Sequence, residues 1–307
     1  LEFYNKRSND LLANREADPT LGWRRVTLNY GTMYNRGIEF MLSSNNIRTT
    51  DFSWSTTLNF GYNKNKLIDI DDSDINVFGI TSGNASVKGY PLGAIFSFRY
   101  AGLNGTDGTP QYYVDGGNRV AKEVTSLDDL AYSGTRIPKY NGSLTNIFTY
   151  KSFNLSIMFV YYGGHVLRGE AAPFLSVAPT TNVNRDILNR WQQPGDEKRA
   201  NVTPAFTGYS LDATTVRHPW YAADVHVIKG DYIKLRDLSL TYNFDKQLIG
   251  KWGLSNLALI LQVQNLLTWH ANNEGIDPEA LGTFGYGWGQ KGIPNPTTWT
   301  IGLSAKF

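Results

Sequence analysis

The chain has 307 residues, no cysteine, four histidines and a formal charge of +2. Lack of cysteine excludes thiol catalysis, disulfide staples and thiolate metal sites, and the near-neutral charge leaves no electrostatic footprint for nucleic acid. No apolar run approaches the roughly 18 residues of a membrane helix, yet that says nothing against barrel strands, which carry half as many apolar residues and read as polar overall.

The opening L-E-F-Y-N-K already alternates like a strand, has no leader pattern and lacks a methionine, so the chain is expected to be the C-terminal part of something longer. Segment 33–43 sets Tyr34, Ile38, Phe40 and Leu42 against Asn35, Gly37, Glu39 and Met41. Segment 51–64 is the clearest strand: Phe52, Trp54, Leu58, Phe60 and Tyr62 alternate with Ser53, Ser55, Thr57, Asn59, Gly61 and Asn63. Successive side chains of a strand point to opposite faces, so one face is greasy and the other wet. Segment 92–103 shows Leu92, Ala94, Phe96, Phe98 and Tyr100 on one side and Arg99 on the other, and 110–115 is its candidate partner. Segments 140–150 and 153–161 form a hairpin around the two-residue turn Lys151-Ser152. In 231–244, Ile233 and Leu235 are out of step with Leu238, Leu240 and Tyr242, which predicts a bulge near Arg236-Asp237. Segment 256–267 carries Leu257, Leu259, Leu261 and Val263, and 297–307 ends the chain with Trp299, Ile301, Leu303, Ala305 and Phe307 on one face.

Segments near the roughly 9–11 residues of a tilted membrane strand, repeated along the chain, predict an all-β protein: a transmembrane antiparallel β-barrel of the outer membrane. Trp54, Phe60 and Leu259 would face lipid, and Glu39, Asn59, Asn63 and Arg99 the lumen. Short links at 45–50, 151–152 and 245–255 alternate with long ones at 10–30, 65–91, 164–230 and 268–296. Bacterial barrels have short periplasmic turns and long external loops, which puts Phe307 on the periplasmic side. About nine strands result, an odd number that suits part of a wider barrel better than a closed one. Residues 1–307 therefore read as one barrel segment, and 299–307 as its closing edge, paired with a strand outside this chain.

Several strings resemble the C-terminal half of the SusC/RagA family of TonB-dependent outer-membrane transporters. They are N-R-G-I-E-F at 35–40, F-S-W-S-T-T-L-N-F-G-Y-N-K-N at 52–65, G-Y-P-L-G-A-I-F-S-F at 89–98, N-R-W-Q-Q-P-G-D-E at 189–197, G-D-Y-I-K-L-R-D-L-S-L-T-Y-N-F at 230–244, Q-N-L-L-T-W at 264–269 and G-I-D-P-E at 275–279. The resemblance implies a 22-stranded barrel with an N-terminal plug, energised through the TonB complex and covered by a SusD-like lipoprotein. It implies import of oligosaccharides or peptides. Neither plug, TonB box nor N-terminal strands fall within these residues.

The amphipathic end Trp299, Ile301, Leu303 and Phe307 resembles the signal read by the barrel-assembly machinery. Trp191, Trp220, Tyr221, Tyr286 and Trp288 lie in external loops, as contacts for substrate or lid, or as rings that pack the loops on themselves. The acidic run 69–74 alternates oxygens as calcium loops do. Its sixth and twelfth positions are Asp74 and Ile80 where an EF-hand needs Gly and Glu, so it reads as a solvated loop, with a structural calcium of another kind as the alternative. No other cofactor is expected. His165, His218, His226 and His270 share no metal spacing, and no nucleophile or phosphate-loop motif occurs, so no enzyme is expected. Two other readings compete: a secreted carbohydrate-binding β-sandwich or propeller, with the aromatic stripe in its core, and a barrel for protein secretion or anchoring.

Overall fold

The structure, a computed structural model, describes residues 1–16, 25–70, 76–83, 85–114, 117–120, 126–171, 185–205, 219–280 and 292–307. The chain opens with three long strands, β1 (Glu2–Glu16), β2 (Arg25–Arg48) and β3 (Phe52–Asp69). An excursion follows, with helix α1 (Val77–Thr81) and short strands β4 (Ala94–Phe98), β5 (Tyr100–Leu103), β6 (Pro110–Val114), β7 (Asn118–Val120) and β8 (Leu130–Thr135). The hairpin β9 (Tyr140–Tyr150) and β10 (Phe153–Gly163) leads to a second excursion holding β11 (Val166–Arg168) and β12 (Val227–Lys229). Then come β13 (Tyr232–Asn243), helix α2 (Lys246–Ile249), β14 (Asn256–His270) and β15 (Thr298–Lys306).

Eight of these strands form one antiparallel sheet in the order β1-β2-β3-β9-β10-β13-β14-β15. Among the described residues the sheet thus holds eight strands, against the expectation of about nine. The surplus segment, 92–103, is two short strands: β4 pairs with β8 and β5 with β6, apart from the large sheet. Ile95, Phe96, Ser97 and Phe98 are buried in succession, so this stretch is covered on both faces and cannot serve as a wall strand with one wet side. The expected long link at 10–30 is corrected too, because β1 and β2 run through most of it as paired strand.

Register aligns the apolar residues of all eight strands on one face. Near the short turns, Phe52, Tyr150, Phe153, Tyr242, Leu259 and Leu303 are neighbours in a single row. Ten residues up β3, Phe3, Ile38, Tyr62 and Tyr140 make another row. The interval matches the roughly 9–11 residues of a bilayer-crossing strand. Rings crowd both edges of the band, with Phe153 and Tyr242 centroids 4.8 Å apart and Tyr62 and Tyr140 5.2 Å apart. Trp54, Phe60 and Leu259 lie within the band. The opposite face is polar: Asn59 Nδ2 donates to Ser143 Oγ at 3.0 Å, and Gln262 Nε2 to Asp237 at 2.5 Å.

The turns follow from local chemistry. Lys151 takes a φ of 50° to close the two-residue turn, and Thr49 Oγ1 accepts from Phe52 N at 3.0 Å to cap the 49–51 turn. Asp245 accepts from Gln247 N at 2.8 Å and starts α2 in the third short link. The register slips between Leu235 and Asp237, so the expected bulge is present and frees Arg236 from the ladder. The chain end lies beside the third short link, with Ser255 N donating to Lys306 O at 2.7 Å.

Apolar cores lie in the long connections. Phe98, Tyr112, Ala222 and Ala223 form one, Ala171 and Trp220 another, and Leu103, Trp191 and Ala205 a third. Tyr100 packs against all three, and burial pushes its hydroxyl up to about 12.

Candidate functional site

Two structures stand at the long-connection end of the sheet. The first is a knot joining the excursions after β3 and β10. Arg168, on β11, donates to Ala223 O at 3.0 Å, Phe96 O at 3.0 Å and Ser97 Oγ at 3.2 Å. Burial lowers its guanidinium to about 10, opposed by Asp224, so it stays charged at neutral pH. Asp224 accepts from Tyr100 N at 3.0 Å, and the His226 ring stands edge-on to Trp220 at 4.4 Å. Burial first, then Arg168, holds His226 down at about 4, so it is neutral.

The second is a charge node on the polar face. Alternation sends Tyr232 and Lys234 to that face, and the bulge lets Arg236 join them. The last long connection supplies Asp277 and Glu279. Lys234 Nζ, 1% exposed, lies 3.1 Å from Asp277 Oδ2 and 2.7 Å from Glu279 Oε2. Glu279 also accepts from Tyr232 Oη at 2.8 Å and from Arg236 Nη2. Arg236 Nη1 donates to Asn265 Oδ1 at 2.9 Å. Two cations and two carboxylates balance, so none of the four charges is buried alone. Partial burial raises the Glu279 carboxyl, but the bonds from Arg236, Lys234 and Tyr232 overcome it and hold it at about 2. Beside the node and in the same rows, a groove of about 720 Å³ runs along the polar face, lined by Glu2, Glu39, Asn59, Asn141, Ser143 and Tyr162 together with Met41, Met158 and Val160.

Asn59 and Glu39 therefore line the groove. Asn63 stands one row nearer the loops, its Oδ1 buried without a hydrogen-bond partner among the described residues. Arg99 does not belong to the wall: it sits between β4 and β5, with Nε donating to Asp129 O at 3.3 Å. Trp191 is 8% exposed and Trp220 3%, both inside loop cores, with half-buried Tyr221 against the second. Tyr286, Trp288 and His218 lie outside the described residues, as does most of the 69–74 run; Asp69 pairs with Lys88 at 2.8 Å. Trp299, Ile301, Leu303 and Phe307 are exposed on the edge strand β15 and at its end.

The 189–197 string is a folding unit. Asn189 Nδ2 donates to Ala200 O and Asn201 O, Asp196 accepts from Gln192 N and Gln193 N, and Glu197 accepts from Trp191 Nε1 at 3.2 Å. The charge node is not visible in sequence as a site. Its signals are two cations spaced by two in a strand, at 234 and 236, and two carboxylates spaced by two in G-I-D-P-E, with more than 40 residues between them and nothing to say that they meet.

No family model matches the chain. It is 28% identical, along its whole length, to TonB-dependent receptor P3 of Formosa agariphila and 27% identical to TonB-dependent receptor P26 of the same organism, covering 32% of each. The chain thus spans about a third of the length of the curated relatives it matches. Among solved structures, it superposes on the RagAB peptide transporter with a TM-score of 0.77, at 22% identity, covering 99% of this chain and 33% of that one. The closed-closed state of the RagAB peptide importer gives 0.76 with the same coverage. The eight-stranded sheet accordingly has the fold of the C-terminal part of a transmembrane β-barrel wall, with one apolar and one polar face.

Proposed function

We infer, from a chain similar along its whole length to TonB-dependent receptors, that it forms the C-terminal wall and outer loops of a SusC/RagA-like nutrient importer in the outer membrane. Similarity to such receptors from one end of the chain to the other carries this reading. The long connections face the medium, and the short turns and Phe307 face the periplasm. Cargo is a polar polymer fragment, an oligosaccharide or peptide, handled by the hydrogen-bonding groups of the polar face. Peptide import by RagAB, which shares the fold, lies within that range.

Mechanistically the wall is a passive conduit. Cargo meets the loop platform tied by Arg168, under a SusD-like lipoprotein, and passes along the groove when TonB displaces a plug supplied elsewhere in the full protein. Trp299, Ile301, Leu303 and Phe307 serve as the assembly signal. Tyr221, Tyr286 and Trp288 are the aromatic candidates for cargo or lid contact, while Trp191 and Trp220 hold the loops in shape.

The test is uptake by cells lacking the full-length gene, supplied with labelled oligosaccharide and peptide pools, alongside a pull-down of the tagged protein. Loss of uptake of one pool and recovery of a lipoprotein support the reading. Unchanged uptake of both pools, with no lipoprotein recovered, would sink it.

A further inference from the structure

On the lipid face, the apolar band ends at the row Phe3, Ile38 and Tyr62, and the next two rows are basic. Asn5, Arg36 and Lys64 stand side by side in the first, and Arg7, Tyr34 and Lys66 in the second. Alternation keeps all six on the face of Phe3, Ile38 and Tyr62. Four cations therefore share an area about 7 Å by 10 Å, two same-face rows high and three strands wide. Like charges so arranged repel across strands.

No carboxylate relieves them among the described residues. Glu2 and Glu39 project to the opposite face, and Asp69 is engaged by Lys88 at 2.8 Å. Arg36 is held in place: Nε donates to Asn5 Oδ1 at 2.9 Å and the guanidinium lies 4.4 Å from the Tyr34 ring centroid. A cleft of about 370 Å³ opens beside the patch, lined by Tyr34, Lys64, Lys66, Tyr90, Pro91 and Tyr132.

We propose that this patch binds the phosphates of glycolipid headgroups in the outer leaflet. The proposal rests on the membrane reading above, in which rows just beyond the apolar band on the long-loop side lie at headgroup depth. One amphiphile then satisfies both surfaces, its acyl chains against Phe3, Ile38 and Tyr62 and its phosphates among Arg36, Lys64 and Lys66. Continuity with the lipid-facing band favours a lipid over a soluble anionic protein, which would have to displace lipid to reach the patch. Each basic residue at an anionic membrane surface contributes about fivefold in affinity, so three contribute about a hundredfold.

The experiment uses the full-length protein purified from outer membranes, with lipid A as probe and native mass spectrometry as readout. The variants are R36Q/K64Q/K66Q and, as control, K6Q, whose lysine shares β1 with Arg7 but faces the lumen. The wild type and K6Q should retain phosphorylated lipid A about a hundredfold more tightly than the triple variant, and dephosphorylated lipid A should bind weakly to all three. Undiminished binding by the triple variant, equal binding of dephosphorylated lipid A, or displacement by equimolar inorganic phosphate would each overturn the proposal. Membrane fractionation separates the two claims. Failure of the wild type to enter outer membranes overturns the membrane reading and the patch with it, whereas normal insertion with undiminished binding by the triple variant overturns the patch alone.

Discussion

Glu279→Gln removes the carboxylate on which Tyr232, Lys234 and Arg236 converge. Lys234, 1% exposed, is left with Asp277 alone, and Arg236 loses its counter-charge. Depression of the Glu279 carboxyl from 4.5 to about 2 corresponds to about 3 kcal/mol, at about 1.4 kcal/mol per unit. That agrees with the roughly 3–5 kcal/mol lost when one partner of a buried ion pair is removed. Since this node holds Asp277 and Glu279 of the last long connection to the wall, the cost should appear there. Hydrogen exchange of the protein in detergent should show amides of 272–280 exchanging about a hundredfold faster, with β9, β10 and β14 unchanged. The sign with pH follows. A depressed carboxylate stabilises above 4.5 and loses that contribution as pH falls towards 2, so the wild type should mimic the variant only in acid. Unchanged protection of 272–280, or equal loosening of the wall strands, would refute the reasoning.

Three further outcomes follow from the loops and the chain end. His226, neutral when buried beside Arg168, stabilises the loop knot fully above 6.5 and progressively less as pH falls towards 4, by up to about 3 kcal/mol; fluorescence assigned to Trp220 by difference from W220F should report that opening, and a flat profile between pH 7 and pH 4 would contradict it. Gly108→Ala places a Cβ 2.5 Å from the Trp191 ring at a φ of +69°, a strain of about 2–4 kcal/mol; limited proteolysis should cut 189–205 faster with the sheet intact, and unaltered cleavage would count against the packing role of Trp191. Deleting Phe307 should lower outer-membrane levels of the full-length protein, and an unchanged level would remove it from the assembly signal.

The wall was legible in sequence because a strand with one face in lipid must alternate. Phe52 to Tyr62, Phe153 to Tyr161 and Trp299 to Phe307 do so, and even the bulge at Arg236 showed as a break in period. Segment 92–103 misled for a physical reason. Alternation is read the same way whether both faces or only one are covered, and Phe96 and Phe98 meet protein where lipid was expected. The sequence left Trp191 and Trp220 open between contact rings and rings that pack the loops on themselves, because an aromatic within a loop string carries no sign of its own burial; the structure places both in loop cores. The charge node and the Arg168 knot were hidden, since each joins residues from connections far apart in sequence, and nothing in local spacing encodes that meeting. The basic rows were hidden for a related reason: Arg36 and Lys64 become neighbours only once the register of β2 on β3 is known.

The central claim is the sidedness of the wall, and the absence of cysteine from this chain allows a direct measurement. Single cysteines placed at Thr106, in a long connection, and at Ser152, in a short turn, are probed on intact cells with a membrane-impermeant maleimide. The account predicts labelling at 106 on intact cells and at 152 only after the outer membrane is breached. Labelling at 152 on intact cells with 106 protected would contradict it.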